Sequence, residues 1–150
     1  MKLKESVFLK MIVCVLIVSL VLPINAFAVE PRASDYLEAY SAYLYPAGWG
    51  RIQVWFSVDG VGDMDEIGSL VIYLYESKDN ENWTRVDTFQ HTNYPDMLGY
   101  DNFYHEGHIE YNGVIGRYYK AYVCVWAGKN GDGDVRYFWT ASEKATLFAG

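Results

Sequence analysis

From Tyr119 onward every second residue is apolar: Tyr119, Ala121, Val123, Val125 and Ala127 alternate with Lys120, Tyr122, Cys124 and Trp126. A period of two puts the two sets on opposite sides of an extended chain, which describes a strand with one buried face. The run stops in Gly128-Lys129-Asn130-Gly131-Asp132-Gly133. Asn-Gly and Asp-Gly tolerate positive φ, so a tight antiparallel return into residues 135–140 is predicted.

The same period recurs upstream. Ile52, Val54, Phe56 and Val58 alternate with Arg51, Gln53, Trp55 and Ser57, and Leu70, Ile72 and Leu74 alternate with Val71, Tyr73 and Tyr75. Residues 36–45 read as a first strand turning at 46–50, although Ser34 and Asp35 are also suited to cap a short helix over 36–42. The Gly- and acid-rich residues 59–66 read as a loop and 77–82 as a polar turn. A strand follows over 83–89, then a long connection over 91–102 and a further strand over 103–111. Seven short, regularly spaced strands predict an all-β antiparallel sandwich filling one domain.

The amino terminus argues for export. Lys2, Lys4 and Lys10 form a positively charged start ahead of an uncharged, apolar run over residues 11–22, which is short for a bilayer span. Ala26-Phe27-Ala28 has the small residues a signal peptidase reads, so cleavage is expected after Ala28, leaving residues 29–150 as the β-sandwich domain. Loss of three Lys and one Glu then takes the net charge from −7 to −9. Such a chain offers no basic face for nucleic acid or for an anionic membrane surface. Of its two cysteines only Cys124 survives processing, so no internal disulfide forms and packing must supply the stability. All but two of the 5 Trp, 14 Tyr and 7 Phe also survive, more rings than a core of this size uses. The surplus belongs at the surface.

Gly116-Arg117-Tyr118-Tyr119 resembles the entry to strand F of immunoglobulin-like and fibronectin type III sandwiches, where a corner tyrosine bonds back to the main chain. The alternation through Ala127 is similar to the fibronectin version, and Phe56 stands where that fold offers a buried Trp. Pro31-Arg32-Ala33-Ser34-Asp35-Tyr36 and Tyr94-Pro95-Asp96-Met97-Leu98-Gly99-Tyr100 are similar to a family of small uncharacterised secreted bacterial proteins. That resemblance implies secretion and a β-sandwich, and it brings no activity, ligand or site.

Chemistry-bearing clusters are few. His105-Glu106-Gly107-His108 has metal-ligating residue types, but on a strand His105 and His108 face apart, so a solvated face is expected. Asp59, Asp63, Asp65 and Glu66 form one acidic loop; Asn130, Asp132 and Asp134 begin like a calcium loop. Val135 stands where that loop needs its turning Gly, and both groups read as turn residues. Asn82-Trp83-Thr84, formally a glycosylation acceptor, likewise reads as a turn end. No Gly-x-Ser-x-Gly elbow accompanies a nucleophile. Cys124 falls mid-strand with an outward register that would permit a dimer linked through it. No metal or other cofactor and no catalytic role is expected, the alternative being a metal-dependent enzyme built on His105 and His108.

The aromatic side of the central strand is the expected site. With Val123 inward, Tyr122 and Trp126 point outward, joined by Tyr73 and Tyr75 on one side and Tyr137 or Trp139 on the other. Interleaved with Lys120, such rings hold sugar rings or extended peptides. The expected partner is therefore a glycan or protein outside the cell or at its surface. The competing expectation is a structural protein in which a second sheet, the amino-terminal segment or residues 140–150 cover that side.

Overall fold

The computed structural model describes residues 34–150, which form one compact unit with seven antiparallel strands and no α-helix. The expected signal peptide, with Cys14 and the cleavage site, lies outside the described residues. The strands are β1 Leu37–Gly48, β2 Arg51–Ser77, β3 Thr84–Gln90, β4 Leu98–Asn112, β5 Tyr118–Lys129, β6 Asp132–Trp139 and β7 Glu143–Lys144.

β2 organises the sheet. It turns out of β1 at Trp49-Gly50, both at positive φ. Its first half lies between β1 and β4, with Tyr43 opposite Trp55 and Trp55 opposite His108. Its second half lies against β5 and β3, with Ile72 opposite both Val123 and Phe89. β6 completes the order β1-β2-β5-β6, while β7 pairs with the start of β5.

Residues 59–66, expected to be a loop, are instead extended chain within β2. Gly62 and Gly68 adopt positive φ, which lets the strand bend and rejoin its partners beyond the crest. The pairing with β4 slips between Asp59 and Met64, leaving Val61, Gly62 and Asp63 exposed while the buried Met64 anchors the far side. The connection expected over 91–102 is shorter than predicted. A single 3-10 turn over Pro95–Met97 leads into β4, because burial of Met97 and Leu98 pulls the chain back onto β2.

The bend closes the sheet into a curled half-barrel. Ile52, Val54, Phe56 and Val58 from the first half of β2 share one core with Ile67, Ile72 and Leu74 from the second and with Tyr119, Ala121, Val123, Val125 and Ala127 of β5. Burying each large side chain contributes about 1.5–3 kcal/mol. Tyr119 is fully enclosed, and its hydroxyl accepts the Val114 N–H at 2.9 Å and donates to Glu76. Burial first, and then that bond to Glu76, push its phenol well above the ordinary tyrosine range.

Candidate functional site: the outer face of β3, β2, β5 and β6

Alternation brings the even-numbered residues of β5 to the outside, and register decides which neighbours they meet. Tyr122 lies opposite Tyr73 on one side and Trp139 on the other, and Tyr73 in turn faces Thr88 of β3. One row away, Tyr75 lies between Arg85 of β3 and Lys120 of β5. Cys124 lies between Val71 and Tyr137.

The rings meet as this grid requires. Trp139 is 4.8 Å from Tyr122 and 5.0 Å from Tyr75, and Tyr122 is 5.6 Å from Tyr137, measured between centroids. Tyr137 is 53% exposed and Trp139 49%, while Tyr73, Tyr75 and Tyr122 are half-buried between them. Such contacts stabilise a sheet and also leave a broad amphipathic surface.

Cations are threaded through the rings. The Lys120 ammonium sits 4.3 Å from the centroid of Trp83 and 4.5 Å from that of Trp139. The Arg85 guanidinium carbon lies 5.5 Å over Tyr73, and the Lys144 ammonium 5.2 Å over Tyr118. Trp83 and Arg85 were not expected in the site. Arg85 arrives on β3 and Trp83 just before it; the hairpin with β2 is local, but the bulge between Leu74 and Tyr75 that sets its register leaves no mark in the pattern.

Five of the six expected site residues, Tyr73, Tyr75, Tyr122, Tyr137 and Trp139, therefore come together. Trp126 does not join them. Its indole lies along the backbone of Gly128 and Gly133, which face each other across the β5–β6 hairpin, and among the described residues it pairs with no other ring. Its N–H is buried without a partner, beside a depression of about 350 Å³ lined in part by Glu66, Tyr100 and Lys129. Two glycines with no Cβ leave a trough, and the indole fills it instead of standing outward.

Of the covering elements anticipated for this face, residues 140–150 run along its edge and then away from it. β7 pairs with Tyr118 and Tyr119, and the chain then reaches the β1–β2 turn, where Leu147 accepts the Trp49 N–H and Ala149 bridges to Ala47. At the other end Asp134 holds the start of the described chain. Its carboxylate accepts bonds from the Ser34 hydroxyl at 2.6 Å and from the Asp35 and Tyr36 N–H groups. The Ser34 bond is the main reason that carboxyl lies below the usual aspartate range.

Cys124 is only 1% exposed, so the outward register does not give an outward thiol. Burial pushes the thiol upward in pKa, and a link between chains would require the face to open first.

The remaining clusters are dispersed. A nitrogen of His105 bonds the Asp96 carbonyl, whereas His108 stacks on Trp55 at 4.4 Å, so the two imidazoles are separated as strand alternation requires. Asp65 accepts the Asn130 N–H, and Lys129 donates to the Asp63 carbonyl, tying one acidic stretch to the hairpin turn. Among the described residues no three His, Cys, Asp or Glu side chains gather as a metal site would need. A second stack, Tyr43 on Trp55 on His108, crosses the first half of the sheet and was likewise invisible to local pattern. No protein-family model matches this chain, and no curated protein matches it.

Proposed function

We propose that this is a secreted, non-catalytic binding module whose ligand is a glycan or protein outside the cell or at its surface. The reading includes export through the signal-like residues 1–28 and an immunoglobulin- or fibronectin-like descent for the fold. The Tyr119 hydroxyl bonded back to Val114 supports that descent, since it matches the corner expected of strand F. The observation that carries the binding role is the exposure of Tyr137 and Trp139 at the rim of a contiguous ring cluster on three adjacent strands, β2, β5 and β6. Exposed rings of this kind desolvate cheaply and stack against the C–H faces of sugars or against extended peptide.

Tyr137→Ala with Trp139→Ala removes the exposed rim and leaves the buried face of β5 intact. Retention on insoluble polysaccharide, or capture of a cell-surface partner, is expected to vanish in this double variant with the melting temperature little changed. Undiminished binding would retire the reading in favour of rings that merely stiffen the sheet.

A further inference from the structure

We infer that the ligand of this face is an acidic glycan, its carboxylates anchored by Arg85 and Lys120 while its rings stack on the surrounding aromatics. The inference rests on the binding role proposed above and specifies its chemistry. In a chain of net charge −7, this face is locally cationic. Its rows read Gln90, Val71, Cys124, Tyr137; then Thr88, Tyr73, Tyr122, Trp139; then Arg85, Tyr75, Lys120; and Ser77, Tyr118, Lys144. No Asp or Glu occurs in them.

Each of the three cations lies over a ring of the same face, which fixes where its charge is presented. Lys120 takes no part in the ion pairs of the described residues, and neither does Arg85. Both charges therefore remain available to an incoming anion. Arg85 and Lys120 flank Tyr75 on neighbouring strands, roughly 10 Å apart at the backbone, since adjacent strands are spaced by about 4.8 Å. Paired positive charges separated by an aromatic ring suit a polymer that alternates flat C–H faces with carboxylates. A neutral glycan would leave both cations without a counterion, and an acidic peptide would leave most of the ring surface unused.

The test compares binding of the full chain to polygalacturonate and to its methyl ester, the same backbone with its charges masked. Polygalacturonate is expected to bind about tenfold more tightly, the sum of two exposed charge contacts. Arg85→Gln with Lys120→Met should abolish that preference, so that the two polymers bind alike, and Lys120→Arg should keep it. Arg85→Gln alone, which spares the Lys120 contact with Trp83, should lower the preference without altering the melting temperature. Equal binding of the two polymers, or a preference that survives the double substitution, would overturn the acidic ligand and leave the binding face standing. Polyglutamate bound as tightly as polygalacturonate would overturn the sugar in favour of an acidic protein. Binding of neither polymer would overturn the inference together with its glycan premise.

Discussion

The Tyr119 hydroxyl donates a hydrogen bond to Glu76, a residue 43 positions earlier, and the same oxygen accepts the Val114 N–H. One hydroxyl thus ties β5 to the end of β2 and to the loop that feeds it. Glu76 is further held by Arg117 at 3.5 Å. Tyr119→Phe leaves the Val114 donor without its partner at no cost in shape. A loss of about 1–3 kcal/mol is expected, read as a lower denaturant midpoint with an unchanged slope.

Val123 is fully enclosed between the two halves of the curled sheet. Val123→Asp puts an unpaired carboxylate there at a cost of several kcal/mol, and the domain should fail to fold. Tyr122→Ala, one residue away on the outer face, should leave a cooperative melting transition. Circular dichroism melts of the two variants make the comparison, and two equally unfolded proteins would contradict the assigned faces.

Gly133 faces Gly128 beneath the Trp126 ring, and a Cβ added at either position runs into the indole. Gly133→Ala should therefore expel Trp126 from its trough and cost about 1–3 kcal/mol, as overpacking usually does. A red-shifted tryptophan emission together with a lower melting temperature is the expected signature.

The thiol of Cys124 should resist chemistry in the native state. Ellman's reagent is expected to label it rapidly only after denaturation, and non-reducing electrophoresis of the native protein should show a single monomeric band. Burial and the upward shift of the thiol act in the same direction.

Acid should loosen the amino-terminal edge first. Asp134 has its folded-state pKa held below the ordinary value, chiefly by the Ser34 hydroxyl and also by the Tyr36 and Asp35 N–H groups. Its contribution is therefore complete above the unfolded pKa of about 3.9 and is lost as pH falls through the lower, folded value. Hydrogen exchange at Tyr36 and Leu37 should quicken over that window. In Asp134→Asn the same amides should exchange faster near neutrality and show little further change on acidification.

The strand alternation of β5 was readable residue by residue, because a period of two needs no knowledge of neighbours. So was the inward set of β2, from Ile52 to Val58 and again at Ile72 and Leu74. Residues 59–66 misled because Gly and Asp ordinarily mark turns, whereas here Gly62 and Gly68 bend a strand that resumes its pairing at Met64. For the outer face, the sequence names the rings but not their company. Tyr73, Tyr122 and Trp139 share a row only because β2, β5 and β6 pair in one particular register. Trp126 departed from expectation because two glycines, one on each strand, offered it a place to lie down. Cys124 did so because outward register is not exposure once Tyr137 stands on the next strand.

β2 belongs to both walls of the molecule, pairing with β1 and most of β4 before the bend and with the start of β4, β3 and β5 after it. Neither wall is then an autonomous folding unit, since each lacks its central ribbon until the whole of β2 is placed. Assembly must await contacts distant along the chain, which makes for slow, all-or-none acquisition of structure. A protease that severs the exposed crest at Val61 to Asp63 would divide the ribbon on which both walls are built, and the fragments should disperse together.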